Sequence, residues 1–402
     1  MATIQLQEPV YRGAAGPVFF AAGFRPFFLF AGVQAALMLP IWLLVWSGVL
    51  GVTLPVPPAV WHAHAMVFGF GGAAVGGFLL TAVPNWTNTH HVSGRPLMVL
   101  FALWLAGRVA SVLAGVLPPV VVAVAELSYL PVLAVMMAKP LVAAGKWRNI
   151  AFLPILGVLW VADAMVQAEA LTGAQTGMLG IYCGVFILLL MIAIVGGRIV
   201  PSFTQNWWRM QGRAVEVKPI TWIEKGGAAG SVVAAAVAQA HFAGTTGAGV
   251  VLLAAAAIHG VRLSRWHGAG TQANPILGVL HLGYLWLVIG LALLGVSSLV
   301  PALPASAALH ALTAGCVGTM VLAVMSRAAL GHSGRPLEVA KSTVAAYGLV
   351  SLGALLRVVA PLTDASAALT VAGGLAWTAA WVLFVVVYLP IVTRPRADGR
   401  PG

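Results

Sequence analysis

Long apolar stretches alternate with short polar connections along the whole chain. Each stretch is roughly 20 residues long, the length a helix needs to cross the hydrocarbon core of a bilayer, and none shows the ten-residue alternation of an outer-membrane barrel strand. By length, about twelve membrane-spanning helices are predicted, at roughly 20–48, 60–83, 96–117, 119–142, 150–169, 175–198, 223–243, 245–265, 274–298, 304–328, 340–362 and 367–392. The expected fold class is therefore an all-α integral membrane bundle, with residues 1–402 forming a single transmembrane domain. The first residues carry Gln5, Gln7, Glu8 and Arg12 and lack the basic, apolar and small-residue order of a cleaved signal, so a retained N-terminus is expected.

Composition removes the soluble alternative. Hydrophobic residues make up 61% of the chain and charged residues 7%, whereas a soluble globule carries about 25% charged residues. The mean hydropathy is +0.99. Lys and Arg fall at the N-terminus and on alternate connections: Arg12; Arg95; Lys139, Lys146 and Arg148; Arg209, Arg213, Lys218 and Lys225; Arg262 and Arg265; Arg335 and Lys341; Arg394, Arg396 and Arg400. The connections between them, near 50–58, 115–119, 169–175, 243–247, 298–304 and 362–367, carry none. This positive-inside pattern places both termini on the cytoplasmic side. The net charge of +12 then reports orientation, and no nucleic-acid partner is expected. Cys183 and Cys316 sit inside separate spans and read as small buried apolar residues rather than a disulfide or paired metal ligands.

The chain also echoes itself. Pro154-Ile155-Leu156-Gly157-Val158-Leu159 returns as Pro275-Ile276-Leu277-Gly278-Val279-Leu280. Ser93-Gly94-Arg95-Pro96-Leu97 returns in part as Gln211-Gly212-Arg213 and in full as Ser333-Gly334-Arg335-Pro336-Leu337. His64-Ala65, with Gly69 and Gly72 behind it, matches His310-Ala311 with Gly315 and Gly318. These echoes share a period of about 120 residues, which predicts three four-helix repeats, about 20–142, 150–265 and 274–392, with pseudo-threefold symmetry along the membrane normal.

Ionisable residues within a span are functional candidates by default. Orientation puts His62, His64, His310, Arg108, Arg357 and Glu126 in the half away from the cytoplasm, and His281, His259, Arg25, Arg198 and Arg327 in the other half. In the first layer, His64 and His310 are candidate axial ligands of a haem iron, with Arg108 and Arg357 as partners for its propionates. Snorkelling to the outer interface is the alternative for both arginines. His62 lies about 200° around the helix from His64, so one metal cannot take both on a regular helix. In the second layer, His281 is a candidate metal ligand or a hydrogen-bonded core histidine. His259 and His267, beside Arg262, Arg265 and Trp266, read mostly as an interfacial anchor, with His259 kept among the metal candidates. His90, His91 and His332 fall in cytoplasmic connections where surface positions are expected, His332 being a further metal candidate.

Several long motifs resemble the NnrS family. They are Gly23-Phe24-Arg25-Pro26-Phe27-Phe28, the run from Trp61 to Phe70, the run from Gly77 to Trp86, Ser93-Gly94-Arg95-Pro96, and the run from Gly197 to Thr204. His281-Leu282-Gly283-Tyr284 and the run from His310 to Arg335 complete the set. The family pattern has an acidic residue after the second histidine, where this chain has Ala65. The resemblance implies a bacterial cytoplasmic-membrane protein containing haem b, one or two, with copper as a further metal, that acts in nitric oxide metabolism or resistance to nitrosative stress. The helical plan is also similar, more distantly, to the catalytic subunits of haem-copper oxidases and nitric oxide reductases. The expected partners are nitric oxide, the lipid bilayer and a quinone or other electron donor. A nitric oxide reductase would also need protons, for which Glu126 and Asp163 are the candidate carriers, drawing from outside. Two other readings stand beside this one: a permease for a small solute or metal complex, and a haem-based sensor that stabilises other membrane proteins.

Overall fold

The computed structural model describes residues 16–145 and 147–401. The N-terminal tail with Arg12, and Lys146, lie outside the described residues. Among the described residues every regular element is a helix. In chain order the principal ones are α1 (Phe24–Trp46), α2 (Pro58–Thr87), α3 (Arg95–Val112), α4 (Pro119–Ala143), α5 (Arg148–Thr172), α6 (Gly177–Met210), α7 (Ala228–Phe242), α8 (Thr246–Ser264), α9 (Pro275–Ser297), α10 (Ala305–His332), α11 (Lys341–Leu362) and α12 (Ser366–Thr393). All except α7 are long and apolar enough to cross a membrane, which makes eleven candidate spans among the described residues. A helix closes its backbone hydrogen bonds within itself, so an apolar run of this length folds this way in lipid.

The expected seventh span is shorter than its apolar run. Gly226 takes φ 152 within the turn Ile223–Gly227, outside the helical range, and separates that turn from the 15-residue α7. Other ends are set by left-handed residues. Asn88 (φ 54) closes α2 with its N–H near the Pro84 carbonyl, and Gly173 (φ 74) closes α5 on Glu169.

The chain divides into two compact units: Met1–Gly184 with Arg327–Leu337 and Val385–Gly402, and Val185–Ser326 with Glu338–Phe384. In the first unit, Phe27 and Phe30 of α1 meet Phe101 and Trp104 of α3 edge to face, with centroids 4.8–6.4 Å apart. Arg25 is fully buried and its Nη1 donates to the carbonyls of Val392 (2.8 Å) and Arg394 (2.9 Å), anchoring the start of α1. The chain beyond α12 is tied down in turn. Arg396 donates to the His332 carbonyl at 3.1 Å, and the Ala397 N–H donates to Ser333 at 2.9 Å. Arg396 also pairs with Asp398, and that hydrogen bond holds the Asp398 carboxyl down at about 2.

In the second unit, close helix approaches rest on glycine pairs. A methyl group at Gly249 would lie 3.0 Å from the Gly295 carbonyl, joining α8 to α9, and one at Gly353 would lie 2.7 Å from the Gly373 carbonyl, joining α11 to α12. A polar chain also links α8 to α9. Arg262 donates to Glu224 Oε1 (2.8 Å), the Ala193 carbonyl (2.6 Å) and the Tyr284 hydroxyl (3.0 Å). The hydroxyl is 2.7 Å from His259 Nδ1, and His259 Nε2 is 3.3 Å from Ser231 Oγ.

Candidate functional site

Pro58 occupies the first turn of α2, where its missing N–H costs nothing. The regular helix runs to His64 and is followed by a π-helical segment, Ala65–Gly71, before the α-helix resumes at Gly72. Such a segment inserts a residue into the turn, re-aims the side chains beside it and loosens the backbone ladder. Two carbonyls of the segment accept side-chain donors instead: Gln34 Nε2 reaches Ala65 at 3.3 Å and Trp104 Nε1 reaches Gly69 at 3.1 Å.

His64 is 3% exposed and its Nε2 lies 2.8 Å from Oδ1 of Asp163 on α5, itself 2% exposed. One turn further along α5, the Gln167 amide is 3.1 Å from His64 Nε2 and 3.3 Å from Asp163 Oδ1. Beside them Arg108 of α3 pairs with Glu126 Oε2 of α4. Both are buried, at 7% and 3%, so each ion needs the other to offset its lost hydration. The network is only partly closed: Glu126 Oε1 and Arg108 Nε and Nη1 are buried without a hydrogen-bond partner. A small pocket lies against Trp61, His64, Glu126, Gln167, Val122 and Val166. The ligating atoms of His64, Asp163 and Glu126 all lie within 4.8 Å of one another.

The two carboxylates expected to carry protons thus join the histidine expected to bind a cofactor. Arg108 does not snorkel; it points into the first unit. Gln167 was not expected, although its place four residues after Asp163 on one helix face was a usable signal. His62 stacks on Trp42, with ring centroids 4.5 Å apart and planes 12° apart.

In the second unit, His310 is also the last α-helical residue before a π-helical segment, Ala311–Val317. It is half-buried, and its Nδ1–H donates to the Ser306 carbonyl at 2.7 Å, which leaves the lone pair on Nε2. Arg357 is half-buried on α11, the helix that packs against the start of α10, and forms no ion pair among the described residues. His281 donates its Nε2–H to Thr204 Oγ1 at 2.9 Å, since that hydroxyl's own hydrogen goes to Val200; His281 Nδ1 is left buried without a partner.

Three expectations change. His259, Arg262 and Trp266 are buried and belong to an interior network rather than an interfacial anchor, whereas Arg265 and His267 of the same stretch are exposed; both ring nitrogens of His259 are taken up by the Tyr284 and Ser231 hydroxyls, which leaves it no lone pair for a metal. His91 is buried rather than on the surface, and burial pushes its imidazole down to about 4. His332 ends α10 half-buried, its ring 5.8 Å from Phe24, instead of standing in a loop. His90 is exposed as expected.

A family model described as NnrS protein matches residues 18–396. No curated protein matches the chain.

Proposed function

The chain belongs to the NnrS family, and from that premise we propose that it handles nitric oxide within the bilayer, in nitric oxide metabolism or in protection from nitrosative stress. The reading is of a bacterial inner-membrane protein with both termini cytoplasmic, and its support is the distribution of Lys and Arg over the connections. A haem supplies an iron that binds nitric oxide. The donors in the second unit suit it. His310 has its Nδ1–H held by Ser306 and Nε2 left as the donor atom, the arrangement usual for an iron-bound imidazole, and Arg357 is a cation that meets no carboxylate among the described residues. The donors in the first unit do not suit it. His64 Nε2 has Asp163 Oδ1 at 2.8 Å and the Gln167 amide at 3.1 Å where the face of a porphyrin would have to lie, and Arg108 is taken up by Glu126. His310 therefore replaces the pair His64 and His310 as the histidine assigned to haem.

The observation that carries this reading is the hydrogen bond from His310 to Ser306, which sets the tautomer. It is tested by the visible spectrum of detergent-purified protein from haem-replete cells, with and without nitric oxide. A Soret band that shifts on adding nitric oxide, is lost in His310→Ala and is kept in His64→Ala is expected. A wild-type protein without that band, unresponsive to nitric oxide, would overturn it.

A further inference from the structure

We propose that His64, Asp163 and Glu126 form a second, non-haem metal site for a divalent first-row ion of the iron(II) or manganese(II) class. Their ligating atoms lie within 4.8 Å of one another, and His64 Nε2, Asp163 Oδ1 and the Gln167 amide are spaced at 2.8, 3.1 and 3.3 Å. Neighbouring ligands about 2.1 Å from an octahedral ion sit about 3 Å apart, so this triangle has the size of one coordination face. Gln167 joins that face through its amide oxygen once the amide is turned over, a rotation that leaves its shape unchanged.

The second observation is Glu126 itself. Its side chain is 1% exposed and lines the cavity beside His64, and its Oε1 has no hydrogen-bond partner although Oε2 is held by Arg108. A buried carboxylate oxygen left open costs free energy unless something positive meets it. Two buried carboxylates face one guanidinium, so with a neutral His64 the cluster carries one net negative charge, and a cation entering it is attracted rather than repelled. The donor set of one imidazole and carboxylate or amide oxygens suits iron(II) and manganese(II). Among the described residues no cysteine joins this cluster.

The competing arrangement is an imidazolium of His64 paired with Asp163 and no ion. The test separates the two, and separates both from haem. Purified protein is stripped with chelator, reloaded with iron(II) without oxygen and desalted; non-haem iron is then measured with a ferrous chelator and haem by its pyridine complex. About one equivalent of non-haem iron per chain is expected in the wild type and in His310→Ala, falling at least tenfold in His64→Ala and Asp163→Asn. Absence of stoichiometric iron(II) and manganese(II) from the wild type, or equal loading in all four proteins, would overturn the site. The wild-type stoichiometry decides even where a variant fails to fold. Haem content and nitric oxide binding are read separately, so the haem assignment stands or falls by itself.

Discussion

The same backbone device occurs twice in this molecule and is put to opposite uses. At His64 and at His310 a short α-helix ends on the histidine, a seven-residue π-helical segment follows, and the α-helix resumes at a glycine. The equivalent glycines make room for different neighbours. A methyl group at Gly69 would lie 2.5 Å from the Arg108 guanidinium and 2.9 Å from Gln34, whereas one at Gly315 would lie 2.6 Å from the Trp286 ring. Around His64 the space is filled by charged side chains, Arg108, Glu126 and Asp163; around His310 it is filled by indoles, with Trp286 donating to Ser351 and Trp377 to the Ala314 carbonyl. A repeated backbone thus fixes where a histidine stands, and the neighbouring helices decide whether it meets carboxylates.

The contrast can be broken most directly at the arginines. Arg108→Ala leaves Glu126 buried and alone and is expected to cost about 3–5 kcal/mol. Arg357→Ala, which strands no carboxylate, should cost about 1 kcal/mol or less. Thermal midpoints of the two variants in one detergent check this, and equal losses would remove the distinction. Next in size is Gly69→Ala, expected to cost about 1–3 kcal/mol because Arg108, held by Glu126, and Gln34, held by the Ala65 carbonyl, must move. Gly72→Ala, whose nearest neighbour atom would be 3.9 Å away, should be close to neutral in the same assay.

A double-mutant cycle sharpens the picture inside the cluster. His64→Ala and Asp163→Asn should fail to add, with a coupling of about 0.5–3 kcal/mol, since each removes the other's partner. Additivity in denaturant titrations would show that the 2.8 Å contact carries no energy.

The smallest effect concerns a buried histidine on the connection after α2. The His91 imidazole is held near 4 by burial against an ordinary value of 6.5, so the folded protein keeps it neutral while the unfolded chain takes up a proton below about 6.5. Its contribution is whole above that value and is lost as pH falls from 6.5 towards 4. The loss reaches on the order of 1 kcal/mol at pH 5.5. His91→Asn should flatten the midpoint-versus-pH curve over that window, and an unchanged slope would contradict the burial argument.

Most of the architecture was legible because a membrane penalises polar backbone and charge along the whole length of a span. Apolar run length therefore marked eleven of the spans, and the one shortfall, α7, came from a single glycine conformation at Gly226 that composition does not reveal. The grouping of His64, Arg108 and Glu126 at one depth was also legible, since depth follows from position along a helix. Rotation was not. Whether Asp163 faces His64, whether Arg108 turns inward to Glu126, and whether His259 meets Tyr284 all depend on how helices far apart in sequence cross and turn.

The π-helical segments belong to the same class. The matching His-Ala steps could be aligned by eye, but the extra residue in the turn appears only when Gln34, Trp104 and Trp377 arrive to satisfy the carbonyls it frees. By itself, then, the amino-acid sequence determined an all-helical membrane protein and the common level of His64, Arg108 and Glu126, because the cost of burying charge acts residue by residue. Only the tertiary structure decided which of those side chains are partners, because a pairing needs two helices to present the right faces at a distance of about 3 Å.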